Sequence, residues 1–311
     1  MNRMFRISLF VLCSFFLLSG CTMFKSSHDI YRTMFGDTIL HPSKEDLNSR
    51  TSRKTIHLTL AVNDIYCKDT ACKCVHDVAA RQYRELQKVL RKRFNIDLKL
   101  VYFMDIYEME KPLNAQKFDG AICKPWIVYR LAVKNPKLLN YRRIADVLDP
   151  HNNEWLTGSF IVKKDSPIKS MKEVNGKTLA MGENDGYEKY YAAKVLLRKR
   201  GIKPGKIINQ ASCLENIGLL LDGKVDCAVI SDYALCSSCA VDIARPSDVR
   251  KIASTAKIPL TSVILDMSKV SDADALRFQR ALLKLSGKNA PESMLSKGFV
   301  KPAPWTPEPV E

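Results

Sequence analysis

The sequence predicts an α/β protein built from two similar lobes, and three observations support this prediction. The pattern Lys-apolar-Asp-x-Ala-apolar occurs twice, at residues 117–122 (KFDGAI) and at residues 224–229 (KVDCAV). In both copies the pattern contains a short apolar run of the kind expected for a buried parallel strand, and polar residues follow it. The segments upstream of both copies also read as strand, helix, strand. Since α/β sheets bind at the carboxyl ends of their strands, we expect a ligand in the crevice between the lobes.

The amino terminus predicts export. Arg3 and Arg6 precede an apolar run at residues 7–18, which is too short for a stable membrane span, and residues 18–21 (LSGC) resemble the lipobox that ends bacterial lipoprotein leaders. We expect a signal peptide at residues 1–20 and acylation of Cys21, with an uncleaved anchor helix as the alternative. The predicted location is therefore the periplasmic side of the cell envelope, with a lipid anchor in the membrane.

The strong positive charge of the chain bears on which classes of molecule it can bind. The chain has a formal net charge of +16, which is typical of proteins that meet nucleic acid, anionic membrane or an acidic ligand. Export argues against nucleic acid, and clusters such as residues 91–93 and 198–200 close the last turns of predicted helices. The five histidines lie outside any nucleophile motif, and the sequence contains no phosphate-binding loop of the Walker type. We therefore expect neither a nucleic-acid partner nor an enzyme.

The first half of the chain predicts the elements of one lobe, which later residues complete. Residues 21–54 are predicted to be a polar tether. The next segments predict a strand at 56–62, a Cys-rich loop, a helix at 76–94, a strand at 98–103, a strand at 118–123 and a helix at 126–135.

The second half predicts the other lobe and a return to the first. Residues 155–168 are expected to cross between the lobes, followed by a strand at 177–181 and a helix at 187–200. Ser212 and Glu215 form a capping box before the next helix, and Gly223 ends that helix before the strand of the second repeat. Strand 258–266 and helix 271–285 follow. The predicted domains are residues 55–155 with 256–299, residues 156–255, and a Pro-rich surface tail at 300–311.

These segments carry a family resemblance. Residues 157–170 (TGSFIVKKDSPIKS) and 174–180 (VNGKTLA) are similar to the second-lobe entry of phosphate/phosphonate-type (PhnD-like) substrate-binding proteins of ABC transporters, and residues 258–261 (IPLT) look like the return crossover. The resemblance covers about residues 55–287 and implies a type 2 periplasmic-binding-protein fold. This fold has two Rossmann-like lobes joined by two crossing strands. It also implies a small, anionic, phosphonate-like ligand and an ABC permease as partner.

Candidate ligand-binding residues lie where strands end and helices begin in this arrangement. They are Tyr66, Lys124, Trp126, Asn184, Asp185, Gly186, Ser231, Asp232, Tyr233 and Thr261. Residues 182–186 (GENDG) replace the Ser/Thr-rich loop of phosphonate binders. Glu183 and Asp185 would repel a phosphate oxygen; they could meet an amine or a metal, or act as acids at a helix amino terminus.

Cysteines provide the second candidate site. Besides Cys13 in the leader and Cys21, the chain has eight, of which Cys123 and Cys227 are predicted to be core residues. The loop cysteines are predicted to form disulfides or, alternatively, a metal site that could include His76. These loop cysteines are Cys67, Cys72, Cys74, Cys236 and Cys239. The metal alternative predicts a metal-binding or redox-linked accessory lipoprotein; no other cofactor is expected.

Overall fold

The computed structural model describes residues 34, 54–71, 81–184, 186–236, 243–294 and 296–308. The predicted signal peptide, the predicted acylation site Cys21 and all of the predicted tether except Met34 and Lys54 lie outside these residues. None of the helices in the described ranges has the length and apolar character needed to cross a bilayer.

The strands of the described chain form two main sheets and one small one. In chain order the strands are β1 (Ile56–Asn63), β2 (Ile96–Tyr102), β3 (Gly120–Cys123), β4 (Tyr141–Val147), β5 (Trp155–Leu156), β6 (Gly158–Lys163), β7 (Thr178–Gly182), β8 (Lys206–Gln210), β9 (Cys227–Ser231), β10 (Val249–Ser254), β11 (Ile258–Pro259), β12 (Ser262–Asp266) and β13 (Phe299–Val300). The first lobe contains the sheet β13-β4-β12-β3-β1-β2, and the second contains β10-β6-β9-β7-β8.

Helices cover both sheets. They are α1 (Tyr83–Phe94), α2 (Ile106–Asn114), α3 (Pro125–Lys134), α4 (Ala192–Lys199), α5 (Cys213–Leu221) and α6 (Asp272–Leu283). The Ser212–Glu215 capping box predicted from the sequence is formed at the start of α5. A wider helical turn, Tyr187–Tyr191, leads directly into α4.

The first helix begins later than its apolar pattern predicts. Arg81 is not helical, because its backbone N–H donates to the Tyr66 carbonyl at 3.0 Å and its own carbonyl accepts from Lys68. These bonds tie the segment before α1 to the loop after β1, and α1 therefore starts at Tyr83. Residues 72–80 lie outside the described chain.

The repeated sequence pattern marks the same position in both lobes. β3 lies between β1 and β12 in the first sheet, and β9 lies between β6 and β7 in the second. In the first repeat the Asp119 carboxylate accepts from the Thr59 backbone N–H at 2.8 Å. In the second repeat Asp226 accepts from the Thr178 N–H, also at 2.8 Å. The repeated Asp therefore joins the start of each central strand to its parallel neighbour.

Two short strands connect the lobes, as expected. β5 leaves the first lobe, β11 returns to it, and the two pair antiparallel through Leu156 with Ile258 and Trp155 with Pro259. The predicted strand at 258–266 is therefore two strands, since β11 ends at Pro259 and β12 starts at Ser262. Thr261 lies at the turn between them.

The Pro-rich carboxyl-terminal segment packs against the protein rather than running over its surface. Trp305 is buried beside the ring of Tyr187, and its indole N–H donates to the Lys257 carbonyl at 3.0 Å. Glu308 forms an ion pair with Lys199 at 2.9 Å. Met34, from the predicted tether, is likewise buried in the core of the first lobe.

Candidate functional site

A cavity of about 440 Å³ lies at the junction of the two lobes and the crossing strands. This volume is within the range of small-molecule sites. The described residues that line the cavity are Tyr66, Asp149, Pro150, His151, Asn153, Trp155, Leu156, Asp232, Tyr233 and Leu260.

Aromatic rings and carboxylates dominate the chemistry of the cavity. The rings belong to Tyr66, Trp155 and Tyr233, and the Tyr66 and Tyr233 centroids are 6.1 Å apart. The carboxylates belong to Asp149 and Asp232. None of the described lining residues is lysine or arginine. Two cations of the protein lie against these rings: Lys257 Nζ is 4.0 Å from the centroid of Trp155, and the Arg81 guanidinium is 5.6 Å from the centroid of Tyr66.

Backbone and hydroxyl donors hold both carboxylates in place. Asp149 accepts from the backbone N–H groups of His151 at 2.8 Å and Asn153 at 2.7 Å, and from the Asn153 side-chain amide at 3.1 Å. Asp232, at the end of β9, accepts from the N–H and hydroxyl of Thr157 at 3.0 and 2.9 Å. Desolvation raises the pKa of Asp232 despite these bonds, and the negative charge of Glu188 adds to the increase. Because a carboxylate can accept about four hydrogen bonds, both groups can still accept from a ligand.

A second polar cluster joins the lobes next to this cavity. Lys124, at the end of β3 in the first lobe, donates to the two carboxylate oxygens of Glu188 in the second lobe at 3.0 and 3.2 Å. The Ser231 hydroxyl donates to the same carboxylate at 2.5 Å. Ser231 directly precedes Asp232, so the cluster and the cavity share the carboxyl end of β9.

The surroundings of Glu188 favour the ionised form of its carboxyl group. Its side chain is 1% exposed, and the Lys124 side chain is 16% exposed. Burial opposes the charge of Glu188, but attraction to Lys124 and the hydrogen bond from Ser231 outweigh it, and the pKa of Glu188 falls below its ordinary value. The two lobes are therefore held together here by a largely desolvated ion pair.

Further contacts between the lobes lie around Asn184. The Tyr107 hydroxyl, in α2 of the first lobe, donates to the Asn184 side-chain oxygen at 2.6 Å. Arg130 in α3 donates to the Asn184 carbonyl at 3.4 Å, and its guanidinium lies 4.6 Å from the centroid of the Trp126 ring. Trp126 in turn packs against Tyr187 and Tyr191.

The structure divides the candidate ligand residues into three groups. Tyr66, Asp232 and Tyr233 line the cavity. Lys124, Asn184 and Ser231 form polar contacts in or between the lobes outside it.

The remaining candidates are structural or undescribed. Trp126 is part of the core, and the Thr261 hydroxyl donates to buried Asp64 at 2.9 Å. Gly186 is buried at the start of the Tyr187–Tyr191 turn, whereas Glu183 is exposed to solvent. Asp185 lies outside the described residues.

Sequence reasoning missed Glu188 and seven of the ten described lining residues, among them Asp149 and Trp155. Glu188 carried no motif, although it lies two residues after the Gly186 position expected at the cleft. Asp149 lies in a polar segment before the first crossing strand, and Trp155 is the first residue of that strand. Only the pairing of β5 with β11 brings Trp155 to the cavity.

The structure describes only some of the cysteines for which a disulfide or metal site was predicted. Cys67 is a buried free thiol, so the structure does not show the disulfide expected for it. Burial raises the pKa of Cys67 to about 12. Cys123, Cys213 and Cys227 are also buried free thiols. Cys72, Cys74, Cys239 and His76 lie outside the described residues, as does the side chain of Cys236. Within the part of the chain that is described, no three His, Cys, Asp or Glu side chains group to hold a metal.

Comparison with known proteins identifies the family. The model of the family "ABC transporter, phosphonate, periplasmic substrate-binding protein" matches residues 75–304. A comparison with curated protein sequences gives no match.

Solved structures share the fold at low sequence identity. XAC2383 from Xanthomonas citri, bound to ATP, is 14% identical with a TM-score of 0.60, over 80% of this chain and 92% of that one. PhnD1 from Prochlorococcus marinus, in complex with methylphosphonate, is 14% identical with a TM-score of 0.56, over 79% and 92%. A binding component of an ABC phosphonate transporter from Pseudomonas aeruginosa is 14% identical with a TM-score of 0.54, over 80% and 82%.

These findings confirm the fold and family expected from the sequence. The two sheets, the crossing strands and the structural neighbours show a type 2 periplasmic-binding-protein fold. Because the family model spans both lobes, the chain belongs to the periplasmic substrate-binding proteins of ABC phosphonate transporters, a family that binds and transports substrates and is not enzymatic.

Proposed function

We propose that this protein is a lipid-anchored, extracytoplasmic solute-binding protein that delivers a small amine-bearing molecule to an ABC importer. Membership of the binding-protein family supports the importer and its permease as partners. The observation that carries the choice of ligand is the cavity between the lobes, with its three aromatic rings and two carboxylates.

The cavity has the chemistry that recognises a protonated nitrogen. An ammonium group can donate to a carboxylate in a charge-assisted hydrogen bond, and it is attracted to the faces of aromatic rings. Asp232 and Tyr233 offer these two groups from the second lobe, while Tyr66 and Asp149 offer them from the first. A ligand held by both lobes would favour their closure around it.

The phosphonate group expected from the sequence has a less favourable environment. Lys124, the cation predicted to meet it, is already paired with Glu188. The described cavity lining supplies two carboxylates and no lysine or arginine. We therefore propose that the protein selects its ligand by binding an amine group, whether or not the ligand also carries an anionic group.

The amino-terminal sequence, with its lipobox-like residues 18–21, supports the proposed lipid anchor. A Cys21→Ser substitution removes the acylated side chain, and the basic surface alone gives only weak, salt-sensitive attraction to anionic lipid. We expect the variant to leave the membrane fraction after a high-salt wash while the unchanged protein stays. Retention of the variant would contradict the lipobox assignment.

Three small ligands separate recognition of the amine from recognition of the phosphonate. 2-Aminoethylphosphonate and ethylphosphonate differ in the amine, whereas ethanolamine has an amine but no phosphonate. In calorimetric titrations of the purified full chain, we expect both amines to bind and ethylphosphonate to bind at least about tenfold more weakly, since one charge-assisted hydrogen bond contributes about 1.5–3 kcal/mol. Equal affinity for ethylphosphonate, or no binding of either amine, would contradict the proposal.

A further inference from the structure

The carboxylate of Glu188 lies between the lobes, outside the described cavity lining, at the point where donors from both lobes converge. Lys124 reaches it from the first lobe at 3.0 and 3.2 Å, and the Ser231 hydroxyl reaches it from the second lobe at 2.5 Å. An ammonium and a hydroxyl are the donors that an oxyanion of a ligand would need. Here a side chain of the protein already uses both.

Close packing fixes Glu188 in this position. Its side chain is 1% exposed, and its backbone carbonyl lies against Gly158 at the start of β6. A Cβ atom at Gly158 would come within 2.2 Å of that carbonyl oxygen. The glycine therefore allows the crossing segment and the Glu188 backbone to approach each other, and the carboxylate has little freedom to turn away from Lys124.

We infer that Glu188 is a specificity-determining residue, which supplies the protein's own carboxylate in place of a ligand oxyanion and so excludes phosphonates and other oxyanions from Lys124 and Ser231. An anion could enter only by displacing Glu188. Displacement would leave a buried carboxylate without its cation, which is strongly unfavourable. Were the anion to bind beside Glu188 instead, the two negative charges would repel.

This inference rests on the proposed function in one respect, because it takes the cavity next to the Glu188 cluster as the ligand site. Asp232 lines the cavity, and the adjacent Ser231 donates to Glu188. The two ideas nevertheless concern different chemical groups. The proposed function concerns the amine of the ligand, and the present inference concerns the exclusion of an anion.

Methylphosphonate, which lacks an amine, tests the role of Glu188. Glu188→Ala opens a space of carboxymethyl size beside an unpaired Lys124. Glu188→Gln keeps the volume and the bond to Ser231 but removes the charge, and it serves if the alanine variant does not fold. Glu292→Gln, a change at an exposed carboxylate between α6 and β13, is the matched control. The double variant Lys124→Met with Glu188→Ala contains the same space as Glu188→Ala but has no lysine ammonium beside it.

We expect methylphosphonate to bind Glu188→Ala at least about tenfold more tightly than the unchanged protein, and Glu188→Gln to show a gain in the same direction. The Glu292→Gln control should bind as the unchanged protein does, and the double variant should lose the gain. Tight methylphosphonate binding by the unchanged protein, no gain in either Glu188 variant, or an undiminished gain in the double variant would overturn the inference. Ethanolamine binding to the unchanged protein reports separately on the proposed function.

Discussion

Replacing Arg81 with Met is expected to lower the free energy of unfolding by about 3–5 kcal/mol, since it leaves a buried carboxylate without its cation. Arg81 and Asp64 are both fully buried, and the guanidinium donates to the carboxylate at 2.5 Å. The hydroxyls of Tyr83 and Thr261 donate to the same carboxylate at 2.8 and 2.9 Å. These hydroxyls cannot neutralise its charge.

The Asp64 network connects three parts of the first lobe. Arg81 also donates to the Leu148 carbonyl at 3.1 Å, so the guanidinium ties the loop after β1 to the end of β4. Thr261 brings in the turn that follows the return crossing strand. The substitution can be measured by urea denaturation at neutral pH, with the exposed Arg84→Met as its control. A loss of less than about 1 kcal/mol for Arg81→Met would show that the buried pair does not stabilise the lobe.

Replacing Lys124 with Met is expected to cost about 3 kcal/mol for the same physical reason, because Glu188 then remains buried without its cation. Adding Glu188→Gln should restore stability to within about 1 kcal/mol of the unchanged protein, since the double variant leaves no buried charge at the pair. Lys134→Met, at an exposed position in the last turn of α3, is the control for loss of a lysine. Equal losses in the single and double variants would show that the two residues do not act as a pair.

The repeat and the helix caps made the two-lobe fold predictable from the sequence. The repeated Asp119 and Asp226 each close the start of a central strand, which is a local requirement and leaves a local sequence pattern. The capping box before α5 is local in the same way. By contrast, the start of α1 depends on the backbone hydrogen bond between Arg81 and Tyr66. These residues are distant in the sequence, so the local hydrophobic periodicity could not predict it.

The candidate site was predictable only where strand ends determine it. Asp232 and Tyr233 follow β9 directly and line the cavity, and Lys124 follows β3 and contacts the other lobe. The partner of Lys124 could not be identified, because Glu188 reaches it only through the packing of one lobe on the other. The burial of Trp305 depends on the same tertiary packing, and its Pro-rich surroundings therefore suggested a surface tail.

The most direct test of the central claim is the affinity of the cavity for an amine when the charge of Asp232 is removed. Asp232→Asn keeps a side-chain oxygen to accept from Thr157 but cannot form a charge-assisted bond with an ammonium group. The account predicts that the dissociation constant for ethanolamine, measured by calorimetry, rises about tenfold or more in this variant. It should be unchanged in the exposed control Asp222→Asn, at the far end of α5. Equal ethanolamine affinity in Asp232→Asn and the unchanged protein would contradict the claim that the cavity selects its ligand through the amine.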